Sequence, residues 1–350
     1  MIYPYCYAVR INDEEVRRES RSGGVFTAVS DYILKEGGAV YGCVLRGNRI
    51  AEHVRAESPG ERDRMRGSKY IQSNTGRTFC EVLHDLEKGK KVLYTGTSCQ
   101  IAGLRSFLHG RDCSRLICMD IVCHGVPSPL IWKEYLQLYE RKIHGKCISV
   151  DFRNKKDFGW KEHIETMTFR TNLRGRPRTI HSNLFRKLFL RDVILRPACY
   201  HCPYKSVHHP GDLTIADYWG IEKAAPEFDD DKGVSLVLIN NEKAEELFRA
   251  ILPLLTVRMT RIEDSLQPAL KAPFPEPADR QNFWNDYKSL SFEKVLTKYT
   301  NTTGCNYFIN ELRIFKRVVK SLRRKSSERV NRVVRNERKA PADFGHNSHL

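Results

Sequence analysis

No run of apolar residues in the 350-residue sequence approaches the roughly 20 needed to cross a bilayer as a helix, so no membrane span is expected. The opening residues, MIYPYCYAVRINDEE, lack the basic start and apolar core of a secretion signal, which points to the cytoplasm. There is no Gly-x-Gly-x-x-Gly fingerprint, so a standard Rossmann dinucleotide site is not indicated. No internal repeat is present, which excludes solenoid architectures. Acidic residues are few beside basic ones, 42 against 59, leaving a net charge of +17. The excess is uneven: residues 311–350 carry twelve Lys and Arg against four Asp and Glu. Within that stretch Leu312, Phe315, Val319 and Leu322 recur at helical spacing. A basic amphipathic helix of this kind suits a peripheral contact with the inner face of a membrane or an acidic partner, and a solvated terminal helix satisfies the same pattern. No base-reading motif accompanies the charge, so nucleic acid is not an expected partner.

Cysteine, by contrast, is abundant. Eleven are many for a cytosolic chain, and the odd number argues against complete disulfide pairing. Cys43, Cys118 and Cys147 stand in apolar runs and read as small hydrophobes. The length is ample for a large core and two packed lobes. In residues 1–145, YCYAVRI, AVYGCVL, KVLYTG and LICMDIVC read as strands. Between them VFTAVSDYILKEG, RTFCEVLHDLEKGK and CQIAGLRSFL read as helices. Alternation at these lengths predicts an α/β core with a mainly parallel central sheet flanked by helices. EHVRAE reads as a further strand, followed by Ser58-Pro59-x-Glu61, a helix start with cap, proline and capping glutamate. Residues 146–300 read as an additional α+β lobe carrying a cysteine loop: strands CISVDFRN and HIETMTFRT, the helix NLFRKLFLRDVI, then GVSLVLIN and AEELFRAILPLL as a strand and helix. Residues 301–350 form the basic, partly helical tail.

Chemistry concentrates where strands end. Cys199 and Cys202 form a Cys-x-x-Cys pair, half of a four-ligand metal site. Cys99 follows the strand KVLYTG at the opening of a helix, and Cys123 follows LICMDIVC in the same way. Successive parallel strands end on one sheet edge, where ligands bind, and a helix N-terminus favours the thiolate. The four cysteines therefore read as one site, for zinc or for an iron–sulfur cluster. His208 and His209 are alternative ligands, although histidines in a loop before a proline are more often exposed. Ser22, Gly23 and Gly24 precede a helix and suit the approach of an anion; an ordinary glycine turn reads the same way. Arg66, Gly67, Ser68, Lys69 and Tyr70 add cations, a hydroxyl and a ring around a flexible glycine, a set suited to a dinucleotide, although a basic loop is more often simply solvated. His124, beside Cys123, is the candidate general acid, with a hydrogen-bonding support role equally in view. Trp160, Asp217, Tyr218 and Trp219 line a pocket or simply pack the core.

The stretches SGGVFTA, RGSKYIQS, TGTSCQIAGL, DIVCHGVPSP, FRNKKDFGW, CYHCPY, DLTIADYWGI and GVSLVLIN, in this order over residues 3–300, resemble the coenzyme F420 hydrogenase/dehydrogenase beta-subunit family. The resemblance implies an FAD-containing oxidoreductase with a 4Fe–4S cluster, passing electrons between cluster, flavin and an organic hydride acceptor. It implies cluster ligands at Cys99, Cys123, Cys199 and Cys202. It also implies FAD contacts at Ser22, Gly23, Gly24, Arg66, Gly67, Ser68, Lys69, Tyr70 and Gln100. The sequence lacks the ferredoxin-like segment with which many relatives begin, so an external electron donor such as a ferredoxin is expected. Ser98 stands where relatives commonly carry proline, which is expected to loosen the turn beside Cys99. Stand-alone members resemble proteins of surface-polysaccharide synthesis, and use of coenzyme F420 itself is left open. Two rival readings remain: a zinc-binding, non-catalytic interaction module, and an electron adapter for a separate enzyme.

Overall fold

The computed structural model describes residues 3–171, 177–302 and position 319. The amphipathic positions Leu312, Phe315 and Leu322 of the basic tail lie outside the described residues. Eleven strands are present among the described residues: β1 (Tyr5–Ile11), β2 (Ala39–Arg46), β3 (Ile50–Ala56), β4 (Val92–Thr97), β5 (Leu116–Ile121), β6 (Gly145–Asp151), β7 (Glu165–Thr171), β8 (Pro177–Ser182), β9 (Leu213–Asp217), β10 (Ser235–Ile239) and β11 (Leu255–Thr260). Eight of them form one sheet in the order β11-β1-β10-β9-β5-β4-β2-β3. Its centre, β2, β4, β5 and β9, is parallel, and antiparallel strands extend it on both flanks. Helices cover the sheet, as the alternating pattern predicts. β6, β7 and β8 make a separate antiparallel sheet.

Local sequence explains the arrangement. β10, SLVLI, is buried at every position, as befits a strand covered on both faces. β2 and β3 are joined through Gly47 and Asn48, both at positive φ, the backbone a tight hairpin turn requires. The expected capping box at Ser58 and Glu61 is present, with Pro59 in the first helical turn. The helix Pro129–Ile143 does not stand out in the sequence. It starts at a Ser128 cap followed by proline, and buries Ile131, Trp132, Tyr135, Leu136 and Tyr139. Those residues seed an aromatic core shared with the helix Leu184–Phe189, which carries the chain towards Cys199. β9, β10 and β11 lie beyond residue 146 yet return to the main sheet, so the site edge draws on both halves of the chain.

Candidate functional site

Three neighbouring parallel strands set the geometry of the sulfur site. In register, Thr97 of β4 pairs with Ile121 of β5, which pairs with Ile215 of β9. Cys99 and Cys123 each follow the paired residues Thr97 and Ile121 by two positions, so they leave the sheet at the same edge. Cys199 and Cys202 arrive there because the segment after Leu184–Phe189 is pinned to the one after β5. Ser128 N–H donates to the Ile194 carbonyl and Arg196 N–H to the Val126 carbonyl, at 3.1 Å each. A Cβ on Gly125 would stand 3.5 Å from Cβ of Cys199. Burial pushes the Cys123 thiol up to about 12, and the nearby thiols of Cys199 and Cys99 add to the effect. Cys202 is raised as well, by burial first, then by Cys99 and Cys199. The thiols of Cys123 and Cys202 thus each lie within electrostatic reach of those of Cys99 and Cys199. Among the described residues no three His, Cys, Asp or Glu side chains are drawn together tightly enough to hold a single metal ion.

One detail differs from the expectation. Cys99 is the second residue of the helix Ser98–Phe107, but Cys123 does not open a helix. Gly125 at φ 137° and Pro127 keep the chain extended, and the next helix begins only at Pro129. No helix N-terminus therefore offsets the burial of the Cys123 thiol. Nor is Ser98 a loose replacement in its turn. It is 4 % exposed, and its Oγ lies 3.1 Å from Nδ1 of His209. The same nitrogen is 3.2 Å from Oδ2 of the fully buried Asp120. His209, expected at the surface, has a side chain only 1 % exposed. His208, its neighbour, lies at the exposed surface of the loop, as expected.

His124 is held from two sides. Its Nε2 donates to Asp192 Oδ1 at 2.6 Å, the carboxylate being able only to accept. Its ring meets Phe189 edge-on at 4.8 Å and Phe274 at 4.2 Å. The Tyr200 hydroxyl, next to Cys199, donates to the Asp192 carbonyl. The orientation of His124 and the position of the cysteine loop are therefore coupled.

The two glycine loops converge around the start of the helix Val25–Lys35. Ser22 Oγ donates to the Val234 carbonyl and Gly23 N–H to Ser235 Oγ, docking the first loop on β10. A Cβ on Gly23 would lie 2.1 Å from the Val9 carbonyl oxygen, so this glycine serves close backbone packing. Gly23→Ala must push β1 and β10 apart, and a destabilisation of about 1–3 kcal/mol is expected in chemical denaturation. Arg66 Nε donates to Thr27 Oγ1 at 3.1 Å, and Gly67, at φ 80°, turns the second loop beside Arg21. Lys69 is tied up: its ammonium donates to the carbonyls of Arg64, Met65 and Arg66. Burial lowers it to about 8. Ser68 is exposed. Tyr70 packs against Phe152 and Phe189, each at 5.9 Å. Gln100 closes a capping box with Thr97 and donates to Ser73 Oγ, which uses both ends of its amide.

Trp160 and Trp219 stack at 5.0 Å and 8°. The guanidinium of Arg153 sits 5.0 Å from the Trp219 ring, and His163 lies 5.5 Å away. Asp217 accepts from both Arg153 and Trp160, while Tyr218 is buried and donates to Thr260. These aromatics make a rigid wall at the end of β9.

Beside that wall is a cluster of basic side chains that no motif announces. Burial, and after it the charges of Arg153, Arg186 and Arg21, hold the His163 imidazole down at about 2. Arg153 and Arg186 also act on each other, and both face Tyr70. Only the density of arginine and lysine in FRNKK and NLFRK hints at it.

Two family models cover most of the chain. Both describe the coenzyme F420 hydrogenase/dehydrogenase beta subunit: the model of its amino-terminal part matches residues 6–78, and the model of its carboxy-terminal part matches residues 89–265. No curated protein matches. Among solved structures, the chain is similar to one in the F420-reducing (NiFe) hydrogenase complex from Methanosarcina barkeri, in a xenon-derivatised form. The two are 17 % identical, the match covers 86 % of this chain and 92 % of that one, and the TM-score is 0.47. The chain belongs to the coenzyme F420 hydrogenase/dehydrogenase beta-subunit family, a family of redox-enzyme subunits.

Proposed function

We propose that this protein is an iron–sulfur flavoprotein oxidoreductase. Cys99, Cys123, Cys199 and Cys202 would hold a 4Fe–4S cluster. FAD would lie with its phosphates near the two glycine loops, between Arg66 and the start of the helix Val25–Lys35. When bound, the cluster supplies one-electron storage and the flavin supplies the exchange between single electrons and hydride. The observation that carries this reading is the shared edge: the register of β4 and β5 brings Cys99 and Cys123 out together, and Cys199 packs against Gly125.

The donor set fits an iron–sulfur core, which takes four thiolates. Zinc accepts the same four ligands but has no redox chemistry, so membership of a family of redox subunits favours the cluster. The residues between the cysteines and the glycine loops favour communication: Tyr70 reaches Phe189 at 5.9 Å, and Phe189 reaches His124, next to Cys123, at 4.8 Å. His124, oriented by Asp192, holds a proton beside the cysteines. The substrate is a small organic hydride acceptor, coenzyme F420 or another, and electrons come from a ferredoxin-like donor protein. Ten unpaired cysteines among the described residues support a reducing, cytoplasmic setting. No helix among the described residues is long and apolar enough to cross a membrane.

Anaerobic purification followed by absorption spectroscopy and metal analysis tests the reading. Flavin bands over a broad iron–sulfur shoulder, with about four irons per chain, are expected on the basis of four thiolate ligands. A colourless protein with one zinc per chain would instead make the chain a zinc-binding interaction module.

A further inference from the structure

We propose that Lys205 is the positioning residue of the sulfur site: its ammonium ties the Cys202 loop to the Cys123 segment and stands there as countercharge to an anionic centre held by the four cysteines. This rests on the iron–sulfur reading and adds to it the residue that raises the reduction potential of that centre.

The bonding of the buried lysines singles Lys205 out. Lys69 donates to three carbonyls, those of Arg64, Met65 and Arg66. Lys155 also donates to three, those of Arg17, Ser22 and Lys232. An ammonium has three donors, so both have a complete set of partners. Lys205 is 5 % exposed, yet it donates to a single carbonyl, that of His124 at 2.7 Å. Its other neighbour is the ring of Phe274, whose centre lies 4.0 Å from the nitrogen. It makes no ion pair among the described residues. Asp192 acts on it from further off, but that carboxylate is bonded to His124 at 2.6 Å. A buried cation with one neutral hydrogen bond is costly unless an opposite charge lies close by.

Position supplies that charge. Lys205 follows Cys202 by three residues, and the carbonyl it holds belongs to the residue after Cys123. Burial lowers the ammonium from its ordinary value, and the thiols of Cys123, Cys202 and Cys199 push it back up. Phe274, from the proline-rich segment, packs on the His124 ring at 4.2 Å as well as on the ammonium. One ring thus closes this side of the site to water, which would otherwise screen the charge. A cation beside an iron–sulfur centre favours the reduced state, which carries one more negative charge. At an effective dielectric constant of about 20, unit charges about 10 Å apart interact by more than the energy of a tenfold change in a ratio.

The test is a potentiometric titration of anaerobically purified protein with dithionite, read by the paramagnetic resonance signal of the reduced cluster. Lys205→Gln keeps a donor for the His124 carbonyl and removes the charge. At the wild-type midpoint its ratio of reduced to oxidised cluster should fall about tenfold, a potential about 59 mV lower for a one-electron centre. Iron content and melting temperature should stay as in wild type, and Lys205→Arg should keep the wild-type potential. An unshifted potential in Lys205→Gln with full iron would overturn the countercharge. If Lys205→Gln loses its iron, Lys205→Arg decides: iron kept by the arginine variant supports the charge, and iron lost from both overturns it. Wild-type protein that carries zinc in place of iron would overturn the iron–sulfur reading, and this inference with it.

Discussion

On the iron–sulfur flavoprotein reading, Cys123→Ser is expected to strip the protein of nearly all its iron and to lower donor-driven flavin reduction by about a hundredfold or more, since losing even a residue that supports a metal ligand costs about ten- to a hundredfold. Cys123 is the most demanding of the four positions. It sits in an extended segment that Gly125 and Pro127 hold open, packed towards Cys199, with the Lys205 ammonium donating to the neighbouring His124 carbonyl. Burial and the other thiols hold its proton on, so the anion becomes stable only when a cation is present. A serine hydroxyl is harder to ionise and a poorer partner for iron. Cys199→Ser should behave alike, because Cys199 packs against Gly125, two residues from Cys123, and its thiol acts on that of Cys123. Cys80→Ser, at an exposed position on the helix Thr78–Glu87, should leave iron unchanged. Iron content is read directly by metal analysis. Full iron in both Cys123→Ser and Cys199→Ser would remove the shared edge as the cluster site.

A large pH effect on stability should come from Glu165. Its carboxyl is fully buried on β7, bonded by the Tyr135 hydroxyl at 2.9 Å and by the Arg186 amide at 2.6 Å. Burial raises it from 4.5 to about 7, and the hydrogen bonds only partly offset that. The acid is therefore protonated more readily folded than unfolded. Its contribution is fully favourable below pH 4.5 and declines as the pH rises to about 7, because the unfolded chain gains more by ionising. The shift corresponds to about 3 kcal/mol. Glu165→Gln should remove that slope, so the variant gains on wild type as the pH rises through this window. Urea denaturation at several pH values measures it, and parallel curves for the two proteins would refute the assignment.

Much of the site is legible in the sequence because it obeys local rules. KVLYTG and LICMDIVC are apolar enough to be buried strands, and each leads within a few residues to a cysteine. Parallel pairing then leaves little freedom about where those cysteines emerge. The Cys199 and Cys202 pair announces itself by spacing. The helix Pro129–Ile143 is harder to see although Ser128-Pro129 is a start signal, because glutamates and lysines among its aromatics blur the apolar stripe. His209 misleads for a different reason. A histidine beside a proline in a polar loop looks exposed, and only the return of that loop over β5 places it on Asp120.

The basic side chains around His163 show the limit most clearly. Arg21, His163 and Arg186 come from a glycine loop, the segment between β6 and β7 and a short helix, and no spacing relates them. By itself the amino-acid order determined which segments become buried strands and where thiols and glycines interrupt them, since apolar periodicity and turn chemistry act over a few residues. Tertiary structure alone decided which cations gather and which carboxylates they meet, as Arg153 meets Asp217 and Arg21 meets Asp151. Charge pairing depends on distance through space, and chain position says nothing about that distance.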